Sequence, residues 1–305
     1  MIDLSIVVLN WNVCELLQRC LASLRSDHYV LEIIVVDNAS RDGSVAMVRA
    51  SYPQVMLIAN SENRGFTGGN NQGIAASRGR YVLVLNPDTE VLGEALDRMV
   101  AYLDRHPEVG ALGPQLLNPD RSVQSSRRRY PTLITAFFES TWLQGFAPQG
   151  LLGSYYMDDV RPDHTHEVDW LNGAGTVFRR EALDRVGMYD TQNFFMYSEE
   201  IDLCRRVKEA GWKIVYLPEA QVVHYVGQSS DQAVAARHIY FQTSKVHYFR
   251  KWHGPVQAAA LRLFLLSQYF WQIGLEGIKG LLGSKRELRR QRVKTYWQVV
   301  RTGLK

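Results

Sequence analysis

The chain has 305 residues, of which 46% are hydrophobic and 22% charged, with only 10 prolines. This composition is that of a folded chain of one large or two small domains, and it excludes disordered and fibrous proteins. The three cysteines, Cys14, Cys20 and Cys204, form no CxxC pair, so the sequence predicts neither a disulfide framework nor a cysteine zinc site, and a reducing compartment is expected.

The net charge of +4 conceals an uneven distribution. Residues 244–305 contain 13 Lys or Arg and 2 Asp or Glu, so the remainder of the chain is mildly acidic. A basic segment of this kind favours nucleic acid or an anionic membrane surface as partner. No nucleic-acid-binding domain is recognisable, so we expect no nucleic-acid partner. The first residues have strand character without a basic leader or cleavage site, and we expect a cytoplasmic protein.

Short apolar runs alternate with helical patterns through the first hundred residues. Strands are predicted at 4–9, 31–36, 55–59 and 81–85, and helices at 13–25, 42–51 and 68–78. Continuous apolar strands are buried on both faces, so this order predicts an α/β fold with a central, mostly parallel sheet flanked by helices.

The second half of the chain is less regular. After a helix predicted at 92–105 and a strand at 109–112, the periodicity fails from 113 to 167, which predicts an irregular or lid-like segment. Regular patterns return in strands predicted at 170–179, 213–217 and 221–225 and in helices predicted at 181–186 and 199–210.

The basic segment has its own pattern. Residues 255–283 are helical and apolar, but their longest uncharged run is 13 residues, whereas a membrane span needs about 20. A dense basic cluster from Lys285 to Lys294 follows directly. The pattern favours an interfacial helix on anionic lipid; the alternative is a helical pair that packs on the body of the protein or on a second copy in a homodimer.

Polar side chains follow three of the predicted strands. Asn10 ends the first strand, Asp37 and Asn38 end the second, and Asn86 and Asp88 follow the fourth. Ligands of open parallel α/β sheets bind outside these carboxyl ends. A carboxylate such as Asp37 can accept the imino N–H of uracil or thymine, and Asp88 is suited to Mg or Mn. Turn and helix-cap chemistry is the alternative for both.

A glycine-rich segment at 60–73 follows the third strand and opens a helix. Glycine permits close backbone approach to a diphosphate, and a helix amino terminus favours negative charge. Neither GxGxxG nor GxxxxGK[ST] is present. Arg64 either reaches a phosphate or is solvated. Further downstream, the run Arg127 to Arg129 could bind an acceptor phosphate or form a solvated cluster.

The segment from Ser198 to Arg206 contains the candidate general base. On a helix Glu200 shares the apolar face with Leu203, whereas Asp202 falls on the polar face. Partial burial would raise the pKa of Glu200 toward the range of a general base. The neighbouring Glu199 is a second candidate, although an acid in a first turn commonly complements the helix dipole.

Three histidines are less informative. His224 ends an apolar strand and is either a packed core residue or a ligand. His164 and His166 are expected to be exposed loop residues.

Several motifs in order resemble those of glycosyltransferase family 2, and in particular of its bacterial rhamnosyltransferase-like branch. They are VVLNWN, VVDNASRDGS, NRGFTGGNNQG, LNPDT, WLNGAGTVFRREAL and FFMYSEEIDLCRRVKEAGWKIVYLP, followed by His224. The resemblance covers residues 3–228. It implies a GT-A fold over 1–243, with a nucleotide-binding half at 1–112 of strand order 3-2-1-4 and an acceptor half at 113–243, and a helical basic tail at 244–305.

The resemblance also implies roles for individual residues. Asp37 would bind the pyrimidine base, Asp88 and His224 would hold the metal, and Glu200, with Glu199 as the alternative, would be the catalytic base. The remaining nucleotide-sugar contacts would come from Asn10, Asn38, Arg64, Gly65, Asn70, Asn86, Trp170 and Gly173. Two departures from the family pattern stand out: Asn86-Pro87-Asp88 retains one carboxylate of the metal motif, and the base is Glu where Asp is commoner.

The implied activity is inverting, metal-dependent transfer of a sugar in cell-surface polysaccharide synthesis. The donor would be a dTDP- or UDP-sugar, with dTDP-rhamnose as one candidate, and the cofactor Mg or Mn. The acceptor would be a saccharide or a lipid-linked sugar, with the protein peripheral at the inner face of the cell membrane. A nucleotidyltransferase and a non-catalytic nucleotide-sugar-binding scaffold are the alternatives.

Overall fold

The computed structural model describes residues 1–225, 234–283 and 285–305. They divide into two compact units. The first contains Met1–Tyr130, Tyr156–Phe195 and the described residues of Glu199–Ser229. The second contains Pro131–Tyr155, Met196–Ser198 and the described residues of Ser230–Lys305.

Strands and helices alternate along most of the first unit. The strands are β1 (Leu4–Asn10), β2 (Leu31–Asp37), β3 (Met56–Ala59), β4 (Tyr81–Leu85), β5 (Thr89–Val91), β6 (Val109–Leu117), β7 (Arg127–Arg128), β8 (His166–Glu167), β9 (Trp170–Leu171), β10 (Gly175–Arg179) and β11 (Lys213–His224). The helices of the whole chain are α1 (Cys14–Ser23), α2 (Ser44–Ser51), α3 (Gly65–Ala76), α4 (Ala95–Arg105), α5 (Leu133–Phe138), α6 (Leu151–Tyr156), α7 (Arg180–Val186), α8 (Glu199–Glu209), α9 (Val234–His253), α10 (Pro255–Leu281) and α11 (Arg286–Thr302).

The central sheet has the order β3-β2-β1-β4-β10-β6-β11-β5, and β8 pairs with β11. The strands β3, β2, β1 and β4 are all parallel, as are β6 and β11, whereas β10 is antiparallel to both of its neighbours. The predicted α/β class, the central sheet and the order 3-2-1-4 of its first half are confirmed. A separate two-stranded sheet joins β7 to β9.

Burial explains why these segments form strands and helices. All five residues of β4 and six of the seven in β1 are buried, as expected of parallel strands covered on both faces. On α4 the buried side chains Leu96, Met99, Val100 and Leu103 recur at helical spacing. The sheet therefore forms a rigid core on which the loops at the strand ends are fixed.

The structure departs from the sequence prediction in three segments. The stretch 113–167 is partly regular, because β6 continues to Leu117 and α5, α6 and a 3-10 helix at Trp142–Phe146 follow. The strand predicted at 170–179 is two strands, β9 and β10. The strands predicted at 213–217 and 221–225 form the single strand β11, whose register with β6 shifts between Leu217 and Gln221. Pro218, which cannot donate to a ladder, lies at that shift.

The second unit is helical. In it α10 contacts both α9 and α11, and Leu261, Leu265 and Tyr269 form the buried side of α10. The boundary expected after residue 243 falls inside α9. None of the helices in the described part of the chain combines the length and the apolar character needed to cross a membrane.

Candidate functional site

The ends of β1 and β2 bring Asn10 and Asp37 together. The two residues lie opposite each other in the parallel ladder, and both are buried. Asn10 Nδ2 donates to Asp37 Oδ2 at 2.8 Å, and the Ser40 N–H donates to Asp37 Oδ1 at 2.8 Å. Asp37 is therefore a buried carboxylate held in one orientation at the carboxyl end of the sheet. Its hydrogen bond with the turn at Ser40 does not prevent it from accepting another hydrogen bond from a ligand.

Asn38 holds the loop that leads into α3. Its Nδ2 donates to Gly65 O at 2.9 Å and to Asn63 Oδ1 at 3.2 Å, while its Oδ1 accepts from Asn60 Nδ2 at 3.0 Å. Arg64, the residue before α3, is exposed. The role of Asn38 in this structure is to position the loop beside Arg64.

Packing explains the glycines of α3. A Cβ at Gly69 would lie 2.3 Å from Leu9 Cδ1, and one at Gly73 would lie 2.2 Å from Val7 Cγ1. Gly65, at φ +75°, faces Phe195 in the same way. Gly69 and Gly73 therefore allow α3 to lie close to the sheet. Close approach of the backbone to a diphosphate, the reason suggested by the sequence, stays a prediction. Farther along the helix, Asn70 Nδ2 donates to Phe66 O at 3.0 Å, and its buried Oδ1 has no hydrogen-bond partner among the described residues.

Asp88 and His224 meet where β5 pairs with β11. Asp88 Oδ1 lies 3.4 Å from His224 Nε2, and both side chains are buried. The other ring nitrogen, Nδ1, is 2.8 Å from Gln124 Oε1. Because Gln124 Nε2 donates to Asn118 Oδ1 at 3.0 Å, the amide oxygen of Gln124 faces the imidazole. Nδ1 therefore donates to Gln124, and Nε2 faces the Asp88 carboxylate.

These residues fit a divalent cation. A carboxylate oxygen and an imidazole nitrogen that face each other can both coordinate one cation. A metal-ligating histidine usually donates its other ring N–H to an oxygen acceptor, as His224 does to Gln124. No cluster of three or more His, Cys, Asp or Glu suited to a metal occurs among the described residues. The protein would thus supply two ligands and leave other positions to phosphate and water, the usual arrangement for Mg²⁺.

Glu199 and Glu200 form an acidic pair at the start of α8. Glu199 is buried and Glu200 half-buried, and burial raises the pKa of both carboxyl groups. The negative charge of Glu200 raises the pKa of Glu199 further, to well above its ordinary value. Glu200 is the more exposed of the two and therefore the better candidate for the ionised member of the pair.

The loop between β9 and β10 connects this acidic pair to the end of β4. A Cβ at Gly173 would lie 3.8 Å from Glu200 Cβ and 3.7 Å from the ring of Phe66. The next residue, Ala174, accepts a hydrogen bond from the Asn86 N–H at 3.0 Å. The loop between β9 and β10 thus lies among the start of α3, the start of α8 and the segment that leads to Asp88.

Trp170 and the three arginines have structural partners. Trp170 is buried, and its Nε1 donates to Arg129 O at 3.0 Å. Arg129 forms two hydrogen bonds with Asp159, at 2.8 and 2.7 Å. Arg128 lies over the Tyr156 ring at 4.6 Å, and Arg127 is 8% exposed. A solvated cluster is therefore wrong for Arg127.

Asp202 and Gln124 lie where the sequence did not place them. Asp202 was expected on the polar face of α8 but is fully buried, with an ion pair of 2.9 Å to Arg206, which also donates to Val186 O at 2.7 Å. A charge can be buried when it is paired and hydrogen-bonded. Gln124 lies in the segment expected to be irregular, and no local motif marks it.

The two loop histidines differ. His164 is exposed as expected, whereas His166 is half-buried. Its ring centroid is 5.2 Å from that of Tyr216, and burial lowers its pKa.

An open α/β sheet with acid and amide side chains at the carboxyl ends of neighbouring strands defines a nucleotide-binding α/β protein. The family model described as "Glycosyl transferase family 2" matches residues 5–187. The chain belongs to this family.

Relatives of known name agree with the family. The chain is 31% identical over 245 residues to the N-acetylglucosaminyl-diphospho-decaprenol L-rhamnosyltransferase of Mycobacterium tuberculosis, an alignment that covers 76% of this chain and 79% of that protein. It is 26% identical over 228 residues to the rhamnosyltransferase WbbL of Escherichia coli K12, covering 72% of this chain and 82% of WbbL.

Solved structures show the same fold. The mannosyltransferase PcManGT from Pyrobaculum calidifontis, in complex with GDP-Man and Mn²⁺, aligns with a TM-score of 0.55 at 18% identity and covers 98% of this chain and 85% of its own. GalNAc-T7 with UDP, GalNAc and Mn²⁺ aligns with a TM-score of 0.57 at 14% identity over 82% of this chain and 50% of its own. At these identities the likeness concerns the fold alone.

Proposed function

We propose that this protein is an inverting glycosyltransferase that moves a sugar from a pyrimidine nucleotide sugar to a hydroxyl group of a saccharide or lipid-linked acceptor. The observation that carries the proposal is the buried acidic pair Glu199 and Glu200 at the start of α8, beside the loop that is hydrogen-bonded to the residue after β4. It supplies a base within the crevice where an α/β sheet of this type binds its nucleotide.

Asp37 is the proposed contact of the pyrimidine base. It is fixed by Asn10 and Ser40, and a carboxylate held this way accepts the imino N–H of uracil or thymine without a cost for ordering its side chain. The exposed Arg64 at the start of α3 is the proposed contact of the diphosphate, together with the positive end of the helix dipole. Asn38, Gly65, Asn70, Asn86, Trp170 and Gly173 shape or support the nucleotide-sugar site.

Glu200 is the proposed catalytic base. It takes the proton of the acceptor hydroxyl while that oxygen forms a bond to the anomeric carbon, and the bond from that carbon to the diphosphate oxygen breaks on the opposite face. The products are the glycoside, with inverted configuration, and the nucleoside diphosphate. Burial raises the pKa of Glu199, so Glu199 stays neutral beside the ionised Glu200 and adds no second negative charge to the site.

Asp88 and His224 would hold Mg²⁺ or Mn²⁺. When bound there, the cation supplies positive charge that stabilises the departing diphosphate. Gln124 fixes the tautomer of His224 that leaves Nε2 available as a ligand. Two solved structures of the same fold contain Mn²⁺, which supports a divalent cation for this site.

Rhamnose from dTDP-rhamnose is the proposed donor sugar, because two relatives carry rhamnosyltransferase names. The name of the Mycobacterium tuberculosis relative specifies an acceptor linked to decaprenol. This supports a lipid-linked acceptor and a location of the protein at the inner face of the cell membrane. Within the chain we assign donor binding to residues 1–112 and acceptor binding to residues 113–243.

The test is release of nucleoside diphosphate from a panel of dTDP-, UDP- and GDP-sugars, with Mg²⁺, Mn²⁺ or EDTA, in the presence of crude lipid-linked and simple saccharide acceptors. We expect release from one pyrimidine donor that requires both metal and acceptor, with a product of inverted anomeric configuration by NMR. Donor binding without release from any acceptor would instead indicate a binding scaffold, and release of pyrophosphate a nucleotidyltransferase.

A further inference from the structure

One face of α10 is apolar and uncovered by the described residues of the chain. Six large side chains on this face and at its carboxyl end are between 53% and 83% exposed: Leu263, Phe270, Trp271, Ile278, Leu281 and Leu282. The opposite side is buried through Leu261 and Leu265. The exposed positions extend over about 30 Å of helix. A helix that is apolar on both sides is typical of burial in protein or in lipid.

The adjoining helix α11 contributes positive charge. Arg286, Arg290, Lys294, Trp297 and Arg301 fall on one face by helical periodicity and are exposed. The Trp297 ring contacts the Phe270 ring of α10, with centroids 6.2 Å apart. The basic face of α11 and the apolar face of α10 are therefore continuous.

Little negative charge lies near this surface. Glu276 of α10 is buried on the other side and binds Arg289 at 2.7 and 2.6 Å. The only other side-chain carboxylate in residues 255–305 is Glu287, which is exposed at the border of the basic face. The ion pair to Arg289 also ties α10 to α11, so the two helices present one fixed surface.

We propose that the apolar face of α10 and the basic face of α11 form a docking surface for an anionic lipid bilayer, with α10 lying in the plane of the interface. Such a bilayer offers hydrocarbon to Leu263, Ile278 and Leu281 and negative headgroups to the four basic residues of α11. Trp271 and Trp297 suit the boundary between the two environments.

A second copy of the chain fits this surface less well. A two-fold dimer brings the same patch of each subunit together, so the basic face of α11 would lie near its own copy and like charges would repel. An anionic lipid surface can cover the apolar face of α10 and also neutralise the basic face of α11. The inference does not depend on the proposed reaction.

The experiment is flotation of the full-length protein with vesicles of phosphatidylcholine alone or of phosphatidylcholine and phosphatidylglycerol in a two-to-one ratio, at low and high salt.

The apolar variant is Trp271→Ser with Ile278→Ser, and its control is Val30→Ser with Met56→Ser, two exposed apolar positions of the first unit. The charge variant is Arg290→Gln with Lys294→Gln, and its control is Arg25→Gln with Arg49→Gln. All substituted side chains are exposed, so folding should be preserved.

We expect the native chain to float with the anionic vesicles and to be released by salt. Each α10 or α11 variant should partition about tenfold more weakly, since lipid binding of this kind sums apolar and electrostatic contributions, while both controls behave as the native chain. Absence of binding to anionic vesicles, or equal binding by all variants, would overturn the proposal. So would sedimentation showing a dimer that the α10 variant converts to monomer, because the surface would then be an interface between copies. Donor turnover with a water-soluble acceptor, measured on the same samples, separates a failure of docking from a failure of the proposed reaction.

Discussion

At the scale of single residues, burial divides the roles of Glu199 and Glu200. Two neighbouring buried carboxyl groups cannot both ionise at low cost. Glu199 is 4% exposed, and burial and the charge of Glu200 raise its pKa well above the ordinary value. Adjacency in the sequence leaves the choice of base open, whereas the greater exposure of Glu200 favours it as the base.

The Glu200→Gln variant should lose turnover by about 10²- to 10⁴-fold, the usual contribution of a general base. Donor affinity should stay near normal, because the amide has the shape of the acid and the nucleotide contacts lie elsewhere. Turnover is measured as nucleoside diphosphate release, and donor affinity by calorimetry. The matched control is Glu209→Gln, an exposed acid on the same helix, which should retain native turnover. Native turnover in the Glu200→Gln variant would remove Glu200 from the mechanism.

The raised pKa of Glu199 makes stability depend on pH. A buried acid with a raised pKa binds more protons in the folded than in the unfolded state, so the free energy of unfolding falls as pH rises from the ordinary carboxyl range to the raised pKa. Glu199→Gln is neutral at every pH and retains a hydrogen-bond donor. It should therefore be more stable than the native chain at neutral and alkaline pH and equal to it below the ordinary carboxyl pKa.

Urea unfolding across a pH series checks this expectation, with Glu209→Gln as the control for loss of one negative charge. A constant difference in unfolding free energy between Glu199→Gln and the native chain at all pH values would show that Glu199 does not titrate on unfolding.

At the scale of secondary structure, the close approach of α3 to β1 depends on glycine. A Cβ at Gly73 would overlap Val7 of a buried strand, and overpacking of a rigid core costs about 1–3 kcal/mol. Gly73→Ala should lower the free energy of unfolding by that amount. Gly274→Ala is the control, since nothing lies within 4 Å of its added methyl group, and alanine in an exposed helix should stabilise by up to about 1 kcal/mol. Equal effects at both positions in urea unfolding would contradict this account of α3.

Local sequence patterns predicted the strands and helices that depend on neighbouring residues. They missed side-chain positions that depend on contacts between residues far apart in the sequence. Continuous apolar runs identified β1, β2 and β4 because burial on both faces leaves that signature; the edge strand β3 is apolar in sequence, but none of its residues is fully buried. The side chain of Asp202 was misplaced, because the i,i+4 pair with Arg206 is itself buried by contacts that Arg206 makes with the carbonyl oxygen of Val186, twenty positions away. Gln124 was missed because its contact is with His224, a hundred positions along the chain. The resemblance to a family selected Asp88 and His224 together, and the pairing of β5 with β11 explains their proximity.

At the scale of the whole molecule, the proposed metal site couples to global stability. A ligand that binds only the folded state raises the free energy of unfolding by RT ln(1 + L/Kd), where L is the free ligand concentration, and so raises the unfolding temperature. Mn²⁺ together with a pyrimidine nucleoside diphosphate should therefore raise the melting temperature of the native chain. Asp88→Asn should abolish the increment due to Mn²⁺ and retain the one due to nucleotide alone.

Gln124 is a positioning residue in this scheme, because it contacts the His224 ring and not the metal. Replacing Gln124 tests the orientation of the imidazole while the proposed metal ligands Asp88 and His224 are retained. In Gln124→Leu the His224 ring loses the acceptor that holds its Nδ1 proton, so Nε2 is no longer fixed as the free lone pair. Loss of such a partner typically weakens metal binding about 10- to 100-fold. The Mn²⁺ affinity, measured by electron paramagnetic resonance on the unliganded protein, should fall by that factor. Gln54→Leu, at an exposed position of the same unit, should leave it unchanged. Native Mn²⁺ affinity in Gln124→Leu, alongside loss in Asp88→Asn, would mean that the metal binds without the oriented imidazole.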